Sequence, residues 1–138
     1  MKVVGVLIVV LAIVIGVVPA FTDCESQGKM ITLANGKQIS MKCHWTGRSE
    51  LALALPLSAV GIVMVARRKK ETGIGLGALG GILGLGVMAL PTALIGVCSG
   101  DMPCRLVMKP TLLLSGGLAV GASLVGLVIS ARSKDPLA

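Results

Sequence analysis

The residues with the most reactive chemistry in this chain are four cysteines and one histidine, which fall in two separate segments. Cys24 and Cys43 lie in the first segment, and Cys98 and Cys104 lie in the second. Thiols form disulfides, and together with imidazole they are the ligands that soft metal ions prefer. His44 follows Cys43 directly, so the first segment carries both kinds of donor. The chemistry available is therefore crosslinking, thiol exchange or metal binding.

Other catalytic patterns are missing from the sequence. It contains no Cys-x-x-Cys pair of the kind that supports thiol-disulfide catalysis, and no Ser-His-acid set or phosphate-binding loop ahead of a helix. We therefore predict a non-enzymatic protein with no catalytic residues, no cofactor and no metal.

Four apolar stretches surround the cysteine segments, at 3–21, 51–66, 73–97 and 111–131. None contains a charged residue, and about 20 helical residues cross a hydrocarbon core of about 30 Å. The second stretch is short, so we expect it to gain turns from Trp45–Glu50 or from the Arg67 side. The sequence predicts one domain over 1–138, an all-α integral membrane fold with four transmembrane helices in two hairpins. In a soluble fold, the short polar segments could not shield the surfaces of four apolar helices from water.

The first stretch has a second interpretation. Lys2, the long apolar run and the small residues of Val18-Pro19-Ala20 resemble a cleavable signal peptide. We predict a retained first helix, because the run is long for a signal peptide. Cleavage would leave three spans with the cysteines on the same side.

Positive charge is distributed unevenly between the two sides of the predicted bundle. The segments on the side of the termini carry seven basic and two acidic residues, and the cysteine-bearing segments carry six and four. Because short cytoplasmic loops are enriched in Lys and Arg, we predict a cell-membrane protein with both termini cytoplasmic. The run Arg67–Lys70 contributes most to this asymmetry. Its role is either to determine the topology or to contact anionic lipid. Nucleic acid is excluded as a partner, because the charge is dispersed and Phe21 and Trp45 are the only aromatic residues.

This orientation places the predicted outer loops, 22–50 and 98–110, in an oxidising compartment where disulfides persist. Four cysteines allow three pairings. Proximity in the chain favours Cys24 with Cys43 and Cys98 with Cys104, which would staple each loop separately. The crossed pairings would join the two loops instead.

The first outer loop also contains a β-hairpin pattern. Two short runs of alternating residues flank Asn35-Gly36, the dipeptide that best tolerates a type I′ turn. That turn predicts a register in which Thr32 faces Ile39 and Met30 faces Met41. Because an isolated ribbon is marginally stable in water, we expect the second loop, the membrane surface or a partner to cover it.

The third stretch carries glycines at spacings of three and four, which place small residues on one helix face. We predict that this face packs closely within the bundle, with an interface to a second copy of the chain or to a partner helix as the alternative. The predicted helix-packing residues are Gly73, Gly77, Gly80, Gly81 and Gly84 in the third stretch and Gly117 and Gly121 in the fourth.

A Cys-His-Trp motif at 43–45 precedes the second stretch, and Met108-Lys109-Pro110 precedes the fourth. With these motifs and the second cysteine pair, nearly the whole chain resembles a family of prokaryotic four-helix membrane proteins of unknown function. The resemblance implies a four-helix membrane fold and an accessory role beside an ATP-driven export-type permease. It implies no catalytic residues.

Because no ionisable residue lies inside the apolar stretches, a pump or ion-coupled transporter is disfavoured. We predict an accessory or assembly subunit of a membrane complex, which binds the lipid bilayer and a membrane protein partner. The alternative is a copper-binding or thiol redox protein that uses Cys43, His44 and the sulfurs of the second outer loop. The predicted partner-binding residues are His44, Trp45, Met30, Ile39 and Met41.

Overall fold

A computed structural model describes residues 2–66 and 70–132. The long helices are α1 (Lys2–Thr22), α2 (Lys42–Ala66), α3 (Lys70–Ala89) and α4 (Lys109–Arg132). Two π-helical segments, Leu90–Leu94 and Cys104–Met108, follow α3 and precede α4, and the strands are β1 (Ile31–Thr32) and β2 (Gln38–Ile39). Several charged residues that support the predicted orientation lie outside the described residues, namely Arg67, Arg68, Lys69, Lys134 and Asp135.

Each long helix has the length and apolar composition to cross a membrane. The side chains that face away from the bundle are large and apolar; Leu55, Ile82 and Leu114 are each exposed by two thirds or more. An apolar surface of this extent is unfavourable in water, whereas lipid tails would cover it. The chain is therefore a multi-pass all-α membrane protein, as the sequence predicts.

The four helices form two hairpins that pack side by side. α1 packs along α2 and α3 along α4, and the hairpins meet through α1 with α4 and through α2 with α3. This arrangement confirms the predicted pairing of the helices. The core residues between them include Ile8, Ile15, Leu57, Met64 and Leu112.

Each hairpin contains a point where glycines bring two helix backbones together. A Cβ atom at Gly5 would lie 2.8 Å from the carbonyl oxygen of Gly61, and one at Gly61 would lie 2.9 Å from that of Gly5. Between α3 and α4, a Cβ at Gly116 would lie 3.2 Å from the carbonyl oxygen of Gly84. Larger residues would hold these backbones apart, which is why small residues mark close helix contacts in lipid.

Three of the predicted helix-packing glycines do not contact a neighbouring helix. A Cβ atom at Gly81, Gly117 or Gly121 would have no atom of another described helix within 4 Å, so their predicted role inside the bundle is wrong. On α4 the inward face is formed instead by Gly116 and Ser123. Gly116 lies one residue before Gly117, and Ser123 lies two residues after Gly121. A homo-oligomer contact stays a prediction for the three. The buried members of the predicted set are Gly73, Gly77, Gly80 and Gly84.

The β-hairpin is present, but its register differs by one residue from the predicted one. Ile31 pairs with Ile39. The turn is not type I′, because Gly36 has a φ of 77° while no non-glycine residue in the described ranges has a positive φ. The Gly36 amide donates to the Leu33 carbonyl oxygen, and the Leu33 amide donates to Lys37. This is the three-residue loop in which a type I turn is followed by a left-handed glycine.

α2 begins nine residues earlier than the predicted second span, at Lys42. The expected gain of turns from Trp45–Glu50 is confirmed. The extension also places Glu50 inside a candidate membrane span, which corrects the expectation that the spans hold no ionisable residue. Glu50 is fully buried, and neither carboxylate oxygen has a hydrogen-bond partner among the described residues.

Candidate metal centre

The four cysteines meet at one end of the bundle, which we call the cysteine end and define as residues 23–50 and 95–108. Their four Sγ atoms all lie within 4.8 Å of one another. Cys24, Cys43 and Cys104 are buried, and Cys98 is partly exposed. Two cysteines come from the α1–α2 hairpin and two from the segment that joins α3 to α4, so only the folded bundle brings all four sulfurs together.

The α1–α2 hairpin supplies Cys24 and Cys43. Cys24 lies in a tight turn after α1, which is closed by a hydrogen bond of 2.8 Å from the Lys29 amide to the Cys24 carbonyl oxygen. Gly28 gives this turn its left-handed position, with a φ of 69°. Cys43 lies in the first turn of α2, on the face that also buries Thr46. Both sulfurs therefore point toward the second hairpin.

The loop between α3 and α4 supplies Cys98 and Cys104. Thr46 fixes this loop, because its hydroxyl donates to the carbonyl oxygen of Gly96 at 2.8 Å. The Cys98 amide then donates to the Cys43 sulfur at 3.3 Å. Cys104 begins the π-helical segment that leads into α4. The wide turn of a π-helix is frequent at functional sites, where it redirects a side chain.

The sulfur separations fit a shared metal ion. Four sulfurs bound tetrahedrally at about 2.3 Å from zinc lie about 3.8 Å from one another. The Cys24 sulfur is 3.6 Å from that of Cys104 and 3.9 Å from that of Cys98, and the sulfurs of Cys43 and Cys104 are 2.9 Å apart. Small side-chain movements would make these distances equal.

The same distances are longer than the bond length of about 2.05 Å in a disulfide. All four cysteines are free thiols in this structure. The predicted staples within each loop are not observed, and the closest pair, Cys43 and Cys104, joins the two loops instead. Pairing by proximity in the chain does not describe this arrangement, because the fold places cysteines from different loops in contact.

The two thiols outside the helical spans differ in acidity. Burial raises the pKa of the Cys24 thiol to about 12. Burial also acts to raise the pKa of Cys98, but hydrogen bonds from the side chain and backbone of Cys43 outweigh it and leave that pKa lowered. The partly exposed sulfur is thus the one that loses its proton more readily.

Methionine sulfurs adjoin the cysteines. Met102 Sδ lies 4.0 Å from Cys24 Sγ, and Met102 and Met41 pack against the core beside the cluster. Met108 is fully buried in the same core, one turn beyond Cys104. The surroundings of the thiols are therefore rich in soft, uncharged sulfur donors.

A family match covers nearly the whole chain. The family described as "Domain of unknown function (DUF4418)" matches residues 2–129. The chain belongs to this family. Neither a curated protein nor a solved structure matches it. The match confirms the predicted resemblance to a four-helix membrane family of unknown function.

In this DUF4418 chain, His44 faces carboxylates and not the thiol cluster. Its Nδ1 lies 2.8 Å from Glu25 Oε2 and 3.2 Å from Asp23 Oδ2. Burial acts to raise the pKa of Asp23, but hydrogen bonds from Ser26 and His44 leave it lowered. The copper alternative named His44 as a ligand together with Cys43. The structure does not bring His44 into the cluster, although it is adjacent in sequence, because successive helix residues point in different directions.

The predicted partner-binding residues occupy different surroundings at the cysteine end. Trp45 is 60% exposed and makes an edge contact with the His44 ring. The observed register places Ile39 on the ribbon face of Ile31, whereas alternation places Met30 on the opposite face. Met41 lies partly buried beside the cluster. The five residues thus differ in exposure and in ribbon face, and their role in partner binding stays a prediction.

Thr46 and Glu50 are the residues of this region that the sequence analysis missed. They follow Cys43 at helical spacing, and all three are buried. A signal for them was available: a helix extended back to Lys42 places positions 43, 46 and 50 on one face. The predicted span began at Leu51, so this relationship was not apparent.

Proposed function

We propose that this DUF4418 protein is a non-enzymatic membrane protein that binds a soft metal ion through Cys24, Cys43, Cys98 and Cys104. The observation that carries the proposal is the convergence of their sulfurs within 4.8 Å. A thiolate is the form of cysteine that binds metal, so binding would release protons from these thiols. The energy of the metal–sulfur bonds would offset the cost of forming charged sulfurs in a buried position.

Ordinary packing is a weaker explanation of the cluster. A buried free cysteine commonly behaves as a small apolar side chain. That explanation suits one cysteine, but here four sulfurs from two separate segments lie within 4.8 Å of one another and make up all the cysteines of the chain. The amide of Cys98 and the hydroxyl of Thr46 further hold the loop in the position that completes the cluster.

Metal analysis of the detergent-solubilised protein, purified without oxygen, tests this function. We expect bound zinc or copper in the parent protein. In Cys104→Ser we expect the affinity for the metal to be lower by at least about 100-fold, because the loss of a ligand weakens metal binding more than a change in the residues around the site does. Ser58→Ala, on α2 and outside the cysteine end, is the matched control and should bind like the parent. A parent protein with four free thiols that takes up neither supplied Cu(I) nor supplied Zn(II) would refute the proposal.

The contact between Cys43 and Cys104 favours a second candidate, a disulfide-bonded structural cluster. A movement of less than 1 Å would bring their sulfurs from 2.9 Å to bonding distance. The remaining cysteines, Cys24 and Cys98, have sulfurs 3.9 Å apart. This candidate predicts no free thiols in the native protein and linked peptides that join the two loops.

We further propose the accessory or assembly role in a membrane complex, with an export-type permease as partner, together with an outward-facing cysteine end. Support for a partner comes from exposed apolar residues at that end, among which Ile31, Ile39 and Trp45 are 52%, 44% and 60% exposed. Large apolar groups outside the helical bundle commonly mark interaction surfaces. Support for the orientation comes from the excess of basic residues on the side of the termini.

A further inference from the structure

A groove at the cysteine end adjoins the thiol cluster. It has a volume of about 340 Å³ and separates the β-hairpin from the second loop. Cys98, the one partly exposed thiol, lies on its wall. Since the other three cysteines are buried, an ion that approaches through this groove would meet Cys98 before any other thiol. The lining residues are Ile31, Met41, Lys42, Val97, Cys98, Ser99 and Met102.

The donors in this groove are sulfur atoms. Met41 and Met102 contribute thioethers, and Met102 also lies 4.0 Å from the buried Cys24 sulfur. No carboxylate or imidazole lines the groove among the described residues, because His44 is held by Asp23 and Glu25 elsewhere. Lys42 is exposed at the rim, where its long side chain can extend into water.

This donor set discriminates between soft ions. Thioethers bind Cu(I), whereas zinc sites are built from thiolate, imidazole and carboxylate ligands. Cu(I) is also well bound by two or three sulfurs and carries a single charge. It therefore needs fewer buried thiolates than zinc does, which lowers the cost of burying charge. The four-cysteine cluster alone fits either ion, and the adjoining thioethers favour Cu(I).

From these observations we infer that the ion of the four-cysteine centre is Cu(I), and that it reaches the centre through the groove of Met41, Met102 and Cys98. The inference rests on the proposed function, since it names the ion and its route to the same site. Cu(I) would pass from the thioethers to Cys98 and then to the buried thiolates. Each thiol that binds releases one proton, and the oxidation state of copper does not change.

Transfer of Cu(I) from a coloured chelator such as bicinchoninate to the anaerobic, reduced protein in detergent tests this inference. We expect the parent to remove Cu(I) from the chelator, and the double variant Met41→Leu/Met102→Leu to load about tenfold more slowly. Leucine nearly conserves the volume of methionine, so the variant should fold, which thermal unfolding will verify. Met30→Leu is the matched control, because Met30 is exposed and does not line the groove.

The outcomes separate the inference from the proposed function. If the parent binds neither Cu(I) nor Zn(II) with its thiols reduced, the metal centre itself is refuted. If the parent binds Zn(II) in preference to Cu(I), or if the double variant loads Cu(I) at the parental rate while Cys104→Ser fails to bind, the metal centre stands and the inference is overturned. Slower loading of Cu(I) but not of Zn(II) in the double variant supports it.

Discussion

The sulfur atoms of Cys43 and Cys104 lie 2.9 Å apart, although 61 positions separate the two residues in the chain. Cys43 belongs to the α1–α2 hairpin, and Cys104 lies at the start of the path into α4. The contact therefore spans the two halves of the bundle. The contact forms only after the hairpins have packed, so a reaction between these two thiols indicates that the hairpins are packed together.

The first prediction concerns this pair. Mild oxidation of the metal-free protein should form the Cys43–Cys104 disulfide before any other, because these sulfurs are the closest. Digestion without reduction, followed by mass spectrometry, would identify the linked peptides. Cys24→Ser should leave this product unchanged. A dominant link within either loop would contradict the observed arrangement.

The second prediction concerns the helix contact between Gly5 and Gly61. Gly61→Leu should destabilise the fold by at least about 2 kcal/mol, because its side chain would overlap the α1 backbone. Thermal unfolding in detergent measures the effect. Gly121→Leu is the control, since a Cβ at Gly121 has no described neighbour within 4 Å. Equal stability of the two variants would refute the close approach. Loss of an oligomer in Gly121→Leu, with the fold intact, would support the homo-oligomer alternative.

The third prediction concerns orientation. Because the terminal side carries the excess of basic residues, a fluorescent protein fused after Ala138 should be fluorescent, and a periplasmic phosphatase fused there should be inactive. The same two reporters fused after Ser99, which is in the second loop, should behave in the opposite way. Active phosphatase at Ala138 would reverse the proposed orientation.

The fourth prediction concerns the buried carboxyl group of Glu50. Burying a polar group without a hydrogen bond costs about 1–3 kcal/mol, so Glu50→Leu should raise the thermal stability in detergent. Ser49→Ala, at the neighbouring and less buried position, serves as the control. A clear loss of stability in Glu50→Leu would show that the carboxyl group has a partner in the membrane-embedded protein.

The fifth prediction concerns partner binding by the exposed indole at the cysteine end. If the accessory role is correct, Trp45→Ala should reduce the recovery of co-purifying membrane proteins, because exposed tryptophans commonly anchor interfaces. Leu55→Ala provides a control, since Leu55 is 67% exposed but lies in the apolar part of α2, outside the cysteine end. Equal recovery from both variants and the parent would remove Trp45 from the proposed interface.

The sequence was sufficient for the helices and for the end at which the cysteines lie. Apolar length decides whether a helix can span a membrane, and each cysteine lies close to a helix end. It was insufficient for the cluster, because the positions of Cys43 and Glu50 depend on how far α2 extends beyond its apolar part. Nothing in residues 42–50 forces a helix on its own, and contacts such as Thr46 with Gly96 arise only in the folded protein.

Two other differences have local causes. The Asn35-Gly36 pair is compatible with both a two-residue and a three-residue loop, and the longer loop shifts the strand pairing by one position. The spacing of the glycines predicts that small residues share one face of a helix, but it does not predict which of them face the neighbouring helix. The neighbouring helix decides this, because its residues Ser123 and Val120 approach Gly80 and Gly84.

Each hairpin contributes two of the four cysteines, and this division ties folding to metal supply. An ion held by all four sulfurs would act as a clamp between two halves that otherwise meet through apolar contacts and a few hydrogen bonds such as that from Thr46 to Gly96. At a free metal concentration 100 times the dissociation constant, binding would stabilise the state in which the two hairpins are packed together by about 2.7 kcal/mol. The fraction of chains in that state would then rise and fall with the concentration of the metal ion at that membrane surface.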